Sequence, residues 1–383
     1  MVRIAVDAMG GDRAPGAVVR GAVQALEDVA MVADRVATVA DRVATVADRD
    51  CRLLLIGDES RIRAELEALN VATVADRVAT VADRGIGPRV EIIHASESIG
   101  MDEAPVEALR HKQDASLMRM VKLAAAGEAD VIISAGNTGA FAAACQLKLK
   151  PLEGVSRPGI AVTIPGSSGP VVLCDVGANI QARPRHLYEY AVMAGLYAET
   201  VVGLENPRVG LLSIGEESRK GTELVKQTHA LLADDPRINF IGNVEGEGLF
   251  RNRCDVAICD GFVGNIALKL MESLAEGLLT TISRELESAS PRSLTASPRS
   301  LTASPRSLTA ESGAGDSVRE ALKRVWARHD YSEYGGAPLL GVDGVCIICH
   351  GRSDERAIRN AIRTGEVFLR TGFIEAIRKR LAG

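Results

Sequence analysis

The sequence predicts an α/β protein built on a mostly parallel sheet. Short apolar runs alternate with segments of helical periodicity along the 383 residues, and this alternation is typical of strands joined by crossover helices. Turns rich in glycine and asparagine follow several of the apolar runs, where strands would lead into helices. The turn at 165–170, Pro-Gly-Ser-Ser-Gly-Pro, predicts one hairpin within the alternation.

The individual elements follow from these patterns. Strands are predicted at 2–7, 52–56, 89–94, 130–134, 160–164, 171–175, 208–214, 238–241, 255–259 and 344–349. Helices are predicted at 16–30, 59–70, 102–126, 138–147, 184–201, 219–233, 264–287, 316–328 and 353–381.

Three repeat tracts account for 53 residues of the chain. Val-Ala-Asp-Arg units fill 32–49 and 71–84, and Ser-Pro-Arg-Ser-Leu-Thr-Ala occurs three times over 290–310. The valines of the first tract also fit one face of a helix, so the tract could be read either as a helix extension or as an inert insertion. We favour the insertion. The prolines of the last tract predict a loop. We expect a single domain, 1–383, interrupted by these tracts.

Composition excludes several classes of protein. The formal charge is −5, and it becomes −8 without the tracts, which argues against bulk nucleic-acid binding. No apolar run approaches the roughly 20 residues of a membrane-spanning helix, and the first residues lack the apolar core of a signal peptide. Seven scattered cysteines suit buried thiols in a reducing compartment. We therefore expect a cytoplasmic protein.

Common catalytic and cofactor motifs are missing from the sequence. It contains neither a dinucleotide-binding glycine fingerprint nor a Walker-type lysine, and neither a serine nucleophile elbow nor a His-Glu-x-x-His zinc motif. The run Cys346-Ile347-Ile348-Cys349-His350 has the spacing of a haem attachment site. We interpret it as a buried strand, because haem attachment requires export and the sequence shows no export signal. His350 ends this strand, where either a functional or a structural histidine would fit.

Six turns that each follow a predicted strand carry the chemistry. Glycine lets backbone amides approach a ligand, and the helix N-terminus beyond such a turn attracts anions. We expect all six at one sheet edge, since the carboxyl ends of parallel strands lie together. They predict a site for phosphate or a phosphate-bearing ligand. The turns are Asp7-Ala8-Met9-Gly10-Gly11-Asp12, Ser134-Ala135-Gly136-Asn137-Thr138-Gly139-Ala140, Asp175-Val176-Gly177-Ala178-Asn179, Ser213-Ile214-Gly215-Glu216-Glu217, Gly242-Asn243-Val244-Glu245-Gly246 and Asp260-Gly261-Phe262-Val263-Gly264-Asn265.

In this order the turns resemble those of the phosphate acyltransferase family of bacterial phospholipid synthesis. Further matching segments are His94-Ala95-Ser96-Glu97, Lys220-Gly221, Tyr334-Gly335-Gly336-Ala337-Pro338-Leu339-Leu340-Gly341 and His350-Gly351. The resemblance covers nearly the whole chain outside the tracts. It implies a Rossmann-like α/β/α sandwich, similar to isocitrate and isopropylmalate dehydrogenases and to phosphotransacetylases, in a homodimer with active sites near the interface.

The resemblance implies that phosphate attacks the thioester of acyl-carrier protein and forms an acyl phosphate, without metal or organic cofactor. Such an enzyme must orient phosphate and stabilise an oxyanion. Asn179, Lys220, His350 and Asn265 are our catalytic candidates. Turn amides and the side-chain amides of Asn137, Asn179, Asn243 and Asn265 would donate to phosphate and the oxyanion. Lys220 or Arg183 would neutralise phosphate charge, and His350 would protonate the thiolate or hold phosphate. The substrate-binding candidates are Asp7, Gly10, Gly11, Asn137, Thr138, Asp175, Arg183, Glu216, Asn243 and Asp260, with the carboxylates orienting donors.

Two other functions remain open at this stage. One is a phosphotransacetylase-type enzyme that uses acyl-CoA, and the other is a non-catalytic scaffold that binds carrier protein. The expected partners are acyl-carrier protein, phosphate, a second copy of the chain and, transiently, the membrane-bound glycerol-3-phosphate acyltransferase. The family commonly has an apolar membrane-touching tip where this chain has 290–310, whose arginines instead favour anionic lipid. We expect at most peripheral contact with the inner face of the membrane.

Overall fold

The computed structural model describes residues 1–31, 51–71, 89–289 and 335–382. Residues 1–264 and 335–382 belong to one compact unit, and the helical residues 265–289 belong to a second. Apart from Val71, the three repeat tracts lie outside the described residues, as do the predicted helix at 316–328 and Tyr334. The single-domain interpretation stays a prediction.

The first unit is built on an eleven-stranded sheet. Its spatial order is β3-β2-β1-β4-β11-β10-β5-β6-β9-β7-β8. In chain order the strands are β1 Val2–Asp7, β2 Cys51–Gly57, β3 Val90–His94, β4 Val131–Ser134, β5 Gly159–Pro165, β6 Pro170–Cys174, β7 Val209–Leu212, β8 Phe240–Val244, β9 Val256–Ile258, β10 Ala337–Leu340 and β11 Val345–Ile348.

Strand direction reverses across the middle of this sheet. Strands β3, β2, β1, β4 and β11 are mutually parallel, and so are β6, β9, β7 and β8. Between these two groups, β10 is antiparallel to β11 and to β5, and β5 is antiparallel to β6. Three successive reversals leave the second group pointing opposite to the first, so the carboxyl ends of the two groups lie at opposite edges of the sheet.

Helices connect most of the strands and cover the sheet. Those in the described ranges are α1 Gly16–Met31, α2 Glu59–Ala68, α3 Pro105–His111, α4 Ser116–Ala125, α5 Thr138–Lys148, α6 Pro184–Tyr197, α7 Glu223–Ala233, α8 Gly246–Phe250, α9 Gly261–Ala289, α10 Glu355–Arg370 and α11 Phe373–Ala382. A π-helical turn, Ala198–Val202, extends α6. None of these helices is long and apolar enough to cross a membrane.

The core lies between the sheet and its helices. Central strands such as β4 and β11 are buried along their whole length, as expected for strands covered on both faces. Tyr197 stacks on Phe368 with ring centroids 5.4 Å apart, and Phe373 packs edge-on against both rings. This aromatic cluster packs α10 and α11 against α6.

The α/β class, the mostly parallel sheet and the hairpin at 165–170 are confirmed. Two predicted helices are each divided. The segment 102–126 breaks between α3 and α4, and 353–381 breaks at Gly372, whose φ of 62° lies in the left-handed region. Strand β10 was not predicted. The expectation that all six turns share one edge is wrong, because the three antiparallel pairs reverse the second group of strands.

Candidate active site

A buried carboxylate organises the first edge, where β1, β4 and β11 end. Asp7 is 2% exposed, and its Oδ2 accepts a hydrogen bond of 2.8 Å from Ser134 Oγ. Ser134 Oγ in turn accepts 3.0 Å from Gly136 N. Burial raises the pKa of the Asp7 carboxyl, while hydrogen bonds from Ser116, Ser134 and the turn amides oppose the rise. Asp7 therefore orients the turns after β1 and β4.

Asn137 connects this edge to the loop before α3. Its Oδ1 accepts 3.0 Å from Ala140 N and thereby caps α5. Its Nδ2 faces the carbonyl oxygens of Gly100, Met101 and Glu103 at 3.0 to 3.3 Å. The Asn137 side chain is thus engaged within the fold. The neighbouring Thr138 is exposed at the start of α5, where backbone amides suit an anion.

Gly10, Gly11 and His350 complete the first edge. A Cβ on Gly10 would lie 2.7 Å from Gly136 N, so this close approach requires glycine. Gly11 has a φ of 100°, and the next residue, Asp12, donates its amide to Gly351 O over 2.7 Å. His350 is partly buried beyond β11, and its Nδ1 accepts 3.1 Å from Arg352 N.

A second buried carboxylate organises the opposite edge, which we call the second edge, where β6, β7, β8 and β9 end. Asp175 is fully buried. Its Oδ1 accepts from the amides of Ile160, Gly177 and Ala178 at 3.0, 3.2 and 3.0 Å, and its Oδ2 accepts from Asn179 N at 2.8 Å. Burial raises the pKa of Asp175, and these four backbone donors oppose that rise. The backbone amides of this turn therefore donate to Asp175 and are not available to a ligand.

Asn179 and Asp260 extend this internal bonding. Asn179 Nδ2 donates to Pro158 O at 2.6 Å and to the Tyr190 hydroxyl at 2.7 Å, which employs both of its hydrogens. Asp260 Oδ1 accepts 3.0 Å from the amides of Phe262 and Val263 at the start of α9. The donors of these two turns are therefore committed to the protein itself.

The turn after β7 differs, because it keeps polar groups available. Lys220 is exposed and forms no salt bridge with a described residue. Nearby, Asn243 Nδ2 donates to Glu217 O at 2.8 Å, yet its Oδ1 is buried without a described hydrogen-bond partner. The Ser213 hydroxyl is likewise buried without a described hydrogen-bond partner. Since buried polar atoms are rarely left unpaired, this turn is the best-suited place for a polar ligand or water.

The remaining candidates surround these turns. Arg183 is exposed at the start of α6, where its amide donates 3.1 Å to His186 Nδ1. Burial lowers the pKa of His186. Glu216 is exposed on the turn after β7. Asn265 is exposed on α9 and belongs to the second unit.

The sequence-predicted residues therefore divide into separate groups. The first edge holds Asp7, Gly10, Gly11, Asn137, Thr138 and His350, and the second holds Asp175, Asn179, Arg183, Glu216, Lys220, Asn243 and Asp260. Strands of four or five residues separate the edges, which is about 13–17 Å at about 3.3 Å per residue. Within one chain, His350 and Lys220 do not meet.

The sequence analysis missed two serines that lie beside the candidate residues. Ser116, at the start of α4, bonds to Asp7, and nothing local in the sequence indicates that distant contact. Ser213 begins one of the six turns but is not among the predicted site residues. Its position directly after a buried strand was the available signal.

The cysteine residues of the run at 346–350 belong to the buried core. All seven cysteines are free and buried, and Cys346 and Cys349 lie in or beside β11, as the buried-strand interpretation predicted. Within the ranges that the structure covers, no group of three His, Cys, Asp or Glu side chains is arranged to hold a metal ion. Arg359 and Arg363 pair with Asp28 on α1 at 3.6 and 2.8 Å.

Solved structures share this fold. A phosphotransacetylase from Streptococcus pyogenes superposes with a TM-score of 0.53 at 15% identity, covering 98% of this chain and 94% of that one. The EutD phosphotransacetylase from Staphylococcus aureus gives a TM-score of 0.52 at 14% identity, covering 96% and 94%. At such identities the likeness defines the fold class, that of the phosphotransacetylases.

Sequence comparison is more specific. The family model described as "Fatty acid synthesis protein" matches residues 2–376. A phosphate acyltransferase from Heliobacterium modesticaldum is 42% identical over 382 residues, covering 100% of this chain and 98% of that protein. One from Moorella thermoacetica is 41% identical over 376 residues, covering 98% and 95%. The chain belongs to this fatty acid synthesis family, the phosphate acyltransferases, which are enzymes.

Proposed function

We propose that the protein transfers an acyl group from acyl-carrier protein to inorganic phosphate. A phosphate oxygen attacks the thioester carbonyl carbon, the new C–O bond forms, the C–S bond breaks, and the carrier thiolate leaves and takes up a proton. Membership of the phosphate acyltransferase family over almost the whole chain is the observation that carries this proposal. Phosphate is already a nucleophile, so the lack of a serine nucleophile elbow fits it.

The phosphate site in this proposal is the turn after β7. Lys220 supplies an exposed cation that forms no salt bridge with a described carboxylate, although Glu217 lies on the same turn. The Ser213 hydroxyl beside this turn has no described hydrogen-bond partner and can donate to a phosphate oxygen. Asn243 Oδ1 is an acceptor, so it can pair only with a protonated phosphate oxygen or with water. Charge-assisted hydrogen bonds to a phosphate are about twice as strong as neutral ones. Arg183 adds a second exposed cation at the same edge, and Glu216 orients the turn.

The other second-edge candidates act as supports. Asp175 and Asp260 hold their turns through backbone amides, and Asn179 joins the turn after β6 to Pro158 and Tyr190. We therefore revise the role of Asn179 from donor at the reacting centre to positioning residue. Asn137 is likewise revised to a positioning residue, because its amide group bonds within the fold. Asn265, His350 and the other first-edge residues keep their sequence-based roles as hypotheses.

Substitution of Lys220 tests the phosphate site. Lys220→Ala should lower kcat/KM for phosphate by about 100-fold, the usual cost of removing a charge-stabilising donor. The assay traps acyl phosphate formed from acyl-carrier protein and phosphate. Lys226→Ala is the matched control, because Lys226 is also exposed, one turn into α7. Wild-type turnover by both Lys220→Ala and Asn179→Ala would refute the assignment.

The acyl donor is tested separately. Acyl-carrier protein and acyl-CoA are offered in competition, with phosphate saturating. The proposal expects a much higher kcat/KM with acyl-carrier protein, and a rate that falls as salt screens the docking of an acidic carrier on Arg183 and its neighbours. Preference for acyl-CoA would move the protein to the phosphotransacetylase type of activity, and binding without turnover would make it a scaffold.

The proposal includes a cytoplasmic homodimer that transiently contacts the membrane-bound glycerol-3-phosphate acyltransferase. Its basis is the family membership together with the arginines of 290–310. Sedimentation equilibrium measures the subunit number, and a monomer would contradict the dimer. Flotation with anionic vesicles, using chains with and without 290–310, tests the membrane contact. Loss of flotation on deletion is the expected result.

A further inference from the structure

Three large apolar side chains are exposed at the second edge. Ile214 is 82% exposed, Ile180 is 68% exposed and Phe262 is 59% exposed. Single exposed apolar residues are ordinary on protein surfaces. These three, however, each lie in or directly beside a turn that follows β6, β7 or β9, which are adjacent in the sheet.

Backbone contacts bring these residues together. Gly261 N donates to Asn179 O over 2.9 Å, so the next residues along the chain, Phe262 and Ile180, are held close to one another. On the other side, β7 pairs in register with β9, with Leu211 opposite Ile258. Ile214 follows Leu211 by three positions and Phe262 follows Ile258 by four, so both project from the same edge.

The apolar group borders the proposed phosphate site. A Cβ placed on Gly215 would lie 2.9 Å from Glu217 Oε2 and 3.1 Å from Lys220 Cγ, so the Glu217 carboxylate and the Lys220 stem both pack beside the residue that follows Ile214. Arg183 lies three positions after Ile180, is exposed and forms no salt bridge with a described residue. This part of the surface thus combines exposed cations with exposed apolar side chains.

We propose that Ile180, Ile214 and Phe262 bind the acyl chain of the thioester and of the acyl phosphate product. An amphipathic anion, with a charged head and a hydrocarbon tail, is complementary to a surface that places Lys220 beside Ile214. The inference rests on the proposed function, because the phosphate and the chain then occupy neighbouring parts of one edge. Water displaced from these side chains by the chain favours binding of longer acyl groups.

Chain-length dependence tests this binding surface. Ile214→Ser and Phe262→Ser should each lower the ratio of kcat/KM for palmitoyl- over butyryl-carrier protein by about tenfold, since burial of each methylene contributes to binding. The matched controls are Leu231→Ser and Phe250→Ser, whose side chains are 40% and 49% exposed. Leu231 lies near the end of α7, and the carbonyl of Phe250 accepts from Ser167 N in the hairpin between β5 and β6, so both lie toward the first edge. Both controls should keep the wild-type ratio.

Two outcomes would overturn the inference. The first is an equal loss with both chain lengths. The second is a change of subunit number on sedimentation, which would make Ile214 and Phe262 a contact between copies. Binding of hexadecyl phosphate, measured by calorimetry below its micelle concentration, separates this inference from the proposed function. If the wild type binds it and Ile214→Ser does not, while no acyl phosphate forms, then the chain site stands and the catalytic proposal fails.

Discussion

Replacing Asp175 by asparagine should destabilise the protein strongly, although the two side chains have nearly the same size and shape. Asp175 is buried and both of its oxygens accept backbone amides. Asparagine keeps one acceptor oxygen and exchanges the other for an amide donor. If the oxygen stays with Ile160, Gly177 and Ala178, the new Nδ2 faces Asn179 N, and two donors meet where a 2.8 Å hydrogen bond existed.

The size of the effect follows from these contacts. The lost hydrogen bond to a charged group contributes about 1.5–3 kcal/mol, and the orphaned Asn179 amide costs about 1–3 kcal/mol. The other three bonds weaken when their acceptor becomes neutral. Against this, neutralising a buried carboxylate relieves the desolvation that raises the pKa of Asp175. We expect a net loss of about 3 kcal/mol in the free energy of unfolding.

Urea denaturation followed by circular dichroism measures this loss. Asp234→Asn is the matched control, because Asp234 is exposed at the end of α7 and should change stability by less than about 0.5 kcal/mol. If Asp175→Asn were equally neutral, the carboxylate would not hold the turns of the second edge. The interpretation of Asp175 as a positioning residue would then be wrong.

Three further changes test other parts of the molecule. Asn137→Ala removes the cap of α5 and the amide donor that faces three partly buried or exposed carbonyls, so urea denaturation should show a loss of about 2 kcal/mol. Gly10→Ala places a methyl group against Gly136 N, so it should abolish acyl phosphate formation or lower the melting temperature sharply. The Arg237 guanidinium holds the pKa of Asp235 below its usual range, so its stabilisation is present at neutral pH and lost as pH falls below about 4. Asp235→Asn should lower stability by about 1 kcal/mol at neutral pH and flatten the acid limb of a stability–pH profile.

Local pattern was sufficient to predict most elements of the fold. Apolar runs located ten of the eleven strands, because most of these strands are nearly continuously buried. The exceptions are β3 and β8, the two outermost strands, which are only partly buried. Strand β10, Ala337–Leu340, escaped because it is short, contains proline and follows two glycines, which together indicate a turn. The break between α3 and α4 escaped because its cause is tertiary. Asp114, in the break, binds the Ser96 amide and hydroxyl from a distant loop.

The sequence predicted the roles of the aspartates in these turns more successfully than those of the asparagines. Asp7, Asp175 and Asp260 were expected to orient donors, and the structure places them on backbone amides and hydroxyls. Asn137 and Asn179 were expected to donate to a ligand, yet their amide groups bond within the fold. An asparagine in a glycine-rich turn has the same sequence signature whether it caps a helix or faces a ligand, so only the contacts separate the two roles.

The division of the six turns between two edges has a topological cause. The hairpin β5–β6 was visible in the sequence, but which strand lies beside β5 was not. Had β5 lain antiparallel to β11 directly, an even number of reversals would have placed Asp175 at the edge of Asp7. The insertion of β10 between them makes the number odd. A four-residue strand therefore decides that Lys220 and His350 face opposite ends of the sheet, and a single phosphate within one chain reaches only one of them.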